Sequence, residues 1–318
     1  MVRMTEDVDA AVVSALYRRR LRLWRGASVA AFSVALLVAG VSVHRHASPL
    51  GPHLARLKVH GTIGSDVSLM TRALKTAEKD SSIKGLLLDI DSPGGAVTGG
   101  EALHDAVERF AKMKPVVVTM GGMGASAGYM IAVPARRIFA QRSTLTGSIG
   151  VLMQSPDVSN LLDKVGVSVD ELVSGPLKGQ PSLVKPLSPE GRTMLQGVVN
   201  NLFEQFVTMV AAGRHMPEEK VKALADGRPY TGQQALALGL IDNLGDEDDA
   251  KASLAKLCAL PTDAKIETIG EKSKQFSLRH RLLGMIGGSF ATLLGFDVEE
   301  LLQNEALGID GPVAIWKP

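Results

Sequence analysis

From residue 53 onward, apolar runs with the short period of a strand alternate with stretches in which apolar residues recur every three or four positions. Leu54–Val59 reads as a strand, about Asp66 to Lys79 as a helix, and Gly85-Leu-Leu-Leu-Asp-Ile-Asp91 as a strand of the kind buried on both faces. A helix at about Gly99–Lys112 follows, then the strand Pro115–Met120, a glycine-rich turn, a helix opened by Ser126, and strand-like Arg137–Ala140 and Ile149–Met153. This alternation predicts an α/β fold with a largely parallel sheet and crossover helices.

Past an extended loop at Pro181–Leu187, Ser188-Pro189-Glu190 has the capping serine and N1 proline of a helix start. Leu195, Val198, Val199, Leu202, Phe206, Met209 and Val210 then recur at helical spacing, predicting one long amphipathic helix to about Gly213. Its apolar face reads as core or subunit interface rather than a ligand box. Shorter helices are expected near Glu218–Ala225, Thr231–Leu238 and Asp246–Ala259, and the tail from about Ile266 is separate in character. Within that tail Leu282–Phe296 is apolar but too short to span a membrane, which leaves a membrane-surface segment, an assembly contact or an ordinary buried helix open.

The uncharged run Gly26–Val43 would extend about 27 Å as a helix, the short end of what spans a bilayer. Arg18, Arg19, Arg20, Arg22 and Arg25 precede it, and only Arg45, Arg56 and Lys58 stand in the near downstream flank. The positive-inside bias therefore predicts a cytoplasmic N-terminus and an exported body. A cleaved signal peptide is the competing reading, since Gly40-Val41-Ser42 offers small residues; the long polar lead favours an uncleaved anchor.

Composition narrows the function classes. The 45% hydrophobic and 21% charged residues indicate a globular chain rather than a disordered one. Basic and acidic residues nearly balance, 35 to 33, and aromatics are 4%, so neither a basic stripe nor a stacking platform for nucleic acid is present. Cys258 is the single cysteine, which excludes an intrachain disulfide and a cysteine-rich zinc site.

The candidate chemistry begins at Ser126, in Pro115-Val-Val-Val-Thr-Met-Gly-Gly-Met-Gly-Ala-Ser-Ala-Gly-Tyr-Met130. A hydroxyl at a strand-to-helix junction sits beside unpaired backbone N–H groups, and Gly124, Ala125, Ala127 and Gly128 leave room for a substrate backbone. The plain alternative is an N-cap or packing serine. Asp91-Ser-Pro-Gly-Gly95 ends a buried strand in a turn whose glycines can present N–H groups to a ligand, as half of an oxyanion hole or as a generic turn. A histidine base is poorly supplied: of the histidines after Ser126, His215 lies in a charged segment and His280 between two arginines. A lysine can serve only where desolvation frees it from its proton at neutral pH. Lys178, in Val173-Ser-Gly-Pro-Leu-Lys-Gly179, has small and apolar neighbours and no adjacent carboxylate; an exposed loop lysine is the alternative.

Five stretches in order carry a resemblance. They are Leu86-Leu-Leu-Asp-Ile-Asp-Ser-Pro-Gly-Gly95, Met123-Gly-Ala-Ser-Ala-Gly-Tyr129, Leu145-Thr-Gly-Ser-Ile-Gly-Val151, Ser174-Gly-Pro-Leu-Lys178, and Asp226-Gly-Arg-Pro-Tyr-Thr-Gly-Gln-Gln-Ala235 with Gly239-Leu-Ile-Asp242. With them the chain resembles the signal peptide peptidase A family of membrane-anchored Ser-Lys peptidases, on a ClpP/crotonase-like fold, over about residues 53–258. The resemblance implies Ser126 as nucleophile, Lys178 as base, Ser148 as the hydroxyl that orients the lysine, and the backbone N–H groups of Gly95 and Ala127 as oxyanion donors. It implies no metal or cofactor. Two departures stand out: Pro176-Leu177 precedes Lys178 where relatives often have polar or aromatic residues, and the tail lies outside the matched region.

The expected organisation is thus a cytoplasmic segment 1–25, a transmembrane anchor 26–43, a linker 44–52, a peptidase core 53–258 and a tail 259–318. A single core resembles the short family members, in which serine and lysine of one site come from neighbouring subunits of a ring-shaped homo-oligomer, here an octamer. The implied substrates are cleaved signal peptides and other unfolded apolar peptides at a bacterial inner membrane, met by an extracytoplasmic catalytic domain in contact with membrane lipid. The alternatives are a Ser-Lys protease of a membrane partner such as a stomatin-like protein, a catalytically silent scaffold, and a crotonase-type acyl-CoA enzyme.

Overall fold

A computed structural model describes residues 51–271 and the backbone of 313–315. The predicted anchor 26–43, the segment before it and the apolar stretch 282–296 lie outside the described residues. Among the described residues no helix is long and apolar enough to cross a membrane.

The chain opens with β1 (His53–His60), α1 (Ser68–Lys79), β2 (Ile83–Ser92), β3 (Gly94–Ala96) and α2 (Val97–Met113). Next come β4 (Val116–Ala125), α3 (Ala127–Ala132), β5 (Arg137–Ala140), β6 (Leu145–Gly147) and α4 (Ser159–Lys164). The long helix α5 (Pro189–Arg214) leads to α6 (Glu218–Leu224), β7 (Pro229–Thr231), α7 (Gly232–Leu238), β8 (Asn243–Leu244), α8 (Glu247–Leu257) and β9 (Ile266–Ile269). A last short strand is β10 (Val313–Ile315).

The main sheet runs β7-β6-β4-β2-β1-β9, with β5 also on β4 and β8 on β5. All its pairings are parallel except β6 with β7. Side chains alternate across β2 as a doubly covered strand requires. Leu86, Leu88 and Ile90 pack into the larger core with Leu74 of α1, Phe110 of α2 and Phe206 and Val210 of α5. Leu87 faces the opposite side, with Val117, Phe139 and Leu254 of α8.

Three readings of the sequence change. β4 continues through the glycines to Ala125 instead of stopping at Met120, because its two halves have different partners: Val117–Met120 pairs with β5 and Met123–Ala125 with β6. The strand expected at Ile149–Met153 lies earlier, at Leu145–Gly147, in register with the second half of β4. Ile266–Ile269, read as part of a separate tail, pairs with Leu54–Leu57 as an edge strand of the sheet.

The long helix starts as predicted, with the Ser188 hydroxyl accepting the Gly191 N–H at 2.9 Å and Pro189 inside the first turn. Its second half buries Phe206, Val207, Val210 and Ala211, whereas most of its first half is exposed or only partly covered.

Candidate active site

Ser126 stands between β4 and α3 with φ 56° and ψ −120° and is only 1% exposed. Two backbone bonds pin this conformation: Ser126 N–H donates to the Gly147 carbonyl at 2.8 Å, and Met130 N–H donates to the Ser126 carbonyl at 2.9 Å. Although it occupies the N-cap position, its side chain makes no capping hydrogen bond. The capping role weighed from the sequence is therefore not the one its hydroxyl plays.

The approach to Ser126 is held by side chains that are remote in sequence. Thr144 Oγ1 donates to the Gly121 carbonyl at 2.7 Å and Thr146 Oγ1 to the Gly124 carbonyl at 2.8 Å. Asp91 Oδ1 accepts the Met123 N–H at 3.0 Å across the shift in the β2–β4 register. A Cβ at Gly121 would press on that Asp91 carboxylate at 3.1 Å, so glycine lets the strand pass.

The turn after β2 reaches the same place. Ser92 Oγ accepts the Gly94 N–H at 3.1 Å, and a Cβ on Gly128 would lie 3.2 Å from the Ser92 carbonyl, so α3 begins directly against this turn. Gly95 packs so tightly on Ile63 that a Cβ would collide with the Ile63 backbone. Ala127, the first residue of α3, has no intrahelical acceptor for its N–H. The structure thus brings the Gly94–Gly95 turn to the helix start that follows Ser126. α3 has only six residues, so it is the local N–H groups, not a long helix dipole, that matter here.

Ser126 and Ser148 line one cavity of about 370 Å³ with Gly150, Val151, Leu152, Val199, Asn200, Phe203 and Ala225–Gly227. Ser148 has φ 47°, is 5% exposed and donates from Oγ to the Gly227 carbonyl at 3.0 Å. At the rim, the hydrogen-bonded Arg228 side chain holds the Asp226 carboxyl below the usual carboxylate value. Among the described residues no histidine lines this cavity; His104 and His215 line a second one of about 600 Å³ that includes neither Ser126 nor Ser148.

Lys178 is placed elsewhere. It stands exposed on a turn, its N–H donating to the Gly175 carbonyl at 3.1 Å, and it is not among the residues lining the Ser126 cavity. The stretch of chain that carries it, residues 158–183, is rich in exposed apolar side chains: Leu161 is 60% exposed, Leu172 95%, and Val165, Val173, Leu177 and Leu183 are exposed as well.

The cavity wall from α5 is what the sequence does not reveal. Val199 belongs to the apolar face read as core or interface, Phe203 follows Leu202 of that face, and helical spacing cannot separate a cavity wall from a core. The Asp226-Gly-Arg-Pro-Tyr stretch carried a signal, since it is one of the five resemblance motifs.

A serine held in a strained strand-to-helix turn, over a cavity at the ends of a mainly parallel sheet, defines a ClpP-like serine peptidase. The Clp protease family model matches residues 55–156, and the model of peptidase family S49 matches residues 108–260. A protein of Synechocystis sp. named as a protease is 42% identical over 68% of this chain and 78% of its own length. Protease 4 of Salmonella typhi is 40% identical over 63% of this chain, which spans 32% of that longer protein. A protein of Enterococcus faecium named for signal peptide peptidase SppA is 38% identical over 61% of this chain and 56% of its own length. The chain belongs to peptidase family S49 and is a serine peptidase.

Proposed function

We propose that this protein is a membrane-anchored Ser-Lys endopeptidase that degrades cleaved signal peptides and other unfolded apolar peptides, each site being completed by two subunits. The observation that carries the reading is the division of the site. Ser126 and Ser148 line one cavity of a single chain, with the Gly94–Gly95 turn set against the helix start after Ser126, while Lys178 lies outside that cavity on a segment dense in exposed apolar side chains. Exposed apolar surface of this kind marks an interaction site, and a second copy seated there would bring Lys178 to a neighbouring serine.

In the proposed reaction the Lys178 amine takes the Ser126 proton as Oγ attacks the peptide carbonyl carbon. The oxyanion accepts hydrogen bonds from Gly95 and Ala127 N–H. Collapse breaks the C–N bond, and the lysine proton goes to the leaving amine. Water, deprotonated by the same lysine, then attacks the acyl-serine and releases the acid. Ser148, already fixed by Gly227, orients the incoming ammonium or amine.

Support for the substrate class comes from the apolar lining by Val151, Leu152, Val199 and Phe203 and from the name of the Enterococcus relative. The arginine-flanked run 26–43 is proposed as the anchor, with the N-terminus cytoplasmic and the catalytic domain outside the bacterial inner membrane. A fluorophosphonate probe tests the nucleophile on the purified full chain. Covalent labelling is expected on Ser126 and lost in Ser126→Ala; undiminished labelling of that variant would overturn the assignment.

A further inference from the structure

The second cavity, of about 600 Å³, is built from α2, the Pro134–Arg136 segment that follows α3, and the end of α5. Ala111, Pro134, Ala135, Met209 and Ala212 make part of its lining apolar. Its two acidic lining residues are already paired, Glu108 with Lys112 at 2.9 Å and Asp242 with the buried Arg214 at 2.7 Å. Arg136 is the lining arginine left over. Among the described residues its guanidinium has no carboxylate and no hydrogen-bond partner, while its backbone N–H is fixed on the Val116 carbonyl at 3.0 Å. His104 holds a second unused group. It is 9% exposed, and its Nδ1 lies 3.2 Å from the Asp105 carboxylate, which can only accept. In the neutral imidazole that bond puts the proton on Nδ1 and leaves a lone pair on Nε2. Nε2 has no partner within the described residues and is not sealed from solvent, since the buried side-chain polar atom without a partner there is Arg56 Nε.

We propose that this cavity binds the C-terminal residue of a peptide, with Arg136 on the carboxylate, His104 Nε2 on the amide N–H of the same residue, and its apolar side chain against the apolar lining. A planar guanidinium takes a carboxylate through two parallel hydrogen bonds. A largely buried acceptor such as Nε2 calls for a donor. The ligand therefore needs an anion and an acylated N–H on one apolar residue, and the acyl-side product of every peptide-bond cleavage carries both. A bare anion would leave Nε2 unpaired and most of the cavity unfilled, and a fatty acid would supply charge and apolar bulk but no donor. The cavity includes neither Ser126 nor Ser148, so the peptidase would hold its product apart from the reacting serine. Nothing in this inference depends on the role proposed for Lys178.

The test is titration calorimetry on the full chain carrying Ser126→Ala, which binds without hydrolysing. The probes are N-acetyl-leucyl-leucine as the free acid, the same compound as its C-terminal amide, hexanoate and inorganic phosphate. The acid should bind about tenfold more tightly than each of the other three. Adding Arg136→Gln, a change at an exposed side chain, should erase the preference for acid over amide while leaving the fold intact. Adding His104→Phe should erase the preference for acid over hexanoate, because the acceptor for the N–H is gone. If His104→Phe does not fold, the four probes and Arg136→Gln still decide. Acid and amide of equal affinity, or no heat from the acid at millimolar concentration, would overturn the proposal. So would phosphate or hexanoate binding as tightly as the acid, which would make this a plain anion site. A preference for acid that survives Arg136→Gln would place the binding elsewhere, the Ser126 cavity included, and overturn it as well.

Discussion

Ser126 holds a backbone conformation that costs a residue with a side chain about 1–3 kcal/mol, and Ser148 across the cavity also has positive φ. Strain of this size persists only where the surroundings over-determine it. Here they do so through the Gly147 carbonyl, the Met130 N–H and the threonine clamps at Gly121 and Gly124. The strain aims a hydroxyl at the cavity instead of at the helix cap. It follows that Ser126→Gly and Ser126→Ala both abolish hydrolysis but differ in stability. Ser126→Gly should be more stable than Ser126→Ala by about 1 kcal/mol, because glycine adopts positive φ without the Cβ clash. Urea denaturation of the two purified variants measures this directly. Equal midpoints would mean that the turn is unstrained.

At the scale of elements, the helix after the serine is tied down from its buried side. Tyr129, fully buried in α3, donates from its hydroxyl to the Leu240 carbonyl at 2.7 Å. Close by, Arg214 at the end of α5 pairs with Asp242 at 2.7 Å and donates to the Gly239 carbonyl. Burial pushes the Tyr129 phenol up, so it stays a donor at every physiological pH. A raised folded-state value means that this stabilisation is complete below the unfolded tyrosine pKa and declines as pH rises past it. Tyr129→Phe should cost about 1–2 kcal/mol at neutral pH by leaving the Leu240 carbonyl unpaired. Above about pH 10, stability of the wild type should fall more steeply than that of the variant, by up to about 1.4 kcal/mol per pH unit. Parallel pH profiles would detach Tyr129 from the alkaline transition.

The elements that could be read in the sequence are those whose cause is local. β2 announces itself by the apolar Leu86-Leu87-Leu88 and Ile90, and α5 by Ser188-Pro189 followed by helical spacing. The second half of β4 has no such signal, because four residues rich in glycine ordinarily end a strand. What keeps them extended is Asp91, Thr144 and Thr146, each more than twenty residues away from its backbone partner. β3, β9 and β10 likewise exist only through their pairings. Of the candidate site, Ser126 and its glycine neighbours are legible from residue chemistry; Lys178, proposed to complete it, is legible only as one lysine with apolar flanks. Val199, Asn200 and Phe203 were not, since one helical stripe serves both the core and the cavity.

For the whole molecule, the proposed division of the site makes a quantitative claim. In the proposed arrangement a site needs Ser126 from one chain and Lys178 from its neighbour, so Ser126→Ala and Lys178→Ala subunits should fail for complementary reasons. Each homogeneous variant should be inactive while keeping its assembled size. If the two are dissociated, mixed in equal amounts and reassembled at random in a head-to-tail ring, an intact serine meets an intact lysine at about a quarter of the interfaces. About a quarter of wild-type hydrolysis should therefore return. The exposed apolar residues Leu161, Val165, Leu172 and Val173 offer the means to test the proposed contact. Leu172→Glu, remote from the Ser126 cavity lining, should weaken assembly and activity together, because a charge buried at an apolar interface without a partner costs several kcal/mol. Size-exclusion chromatography with light scattering follows the first effect and peptide hydrolysis the second. Verified mixed rings that stay inactive would place both residues in one chain, and a Leu172→Glu protein of unchanged size and activity would show that this apolar segment faces something other than a second copy.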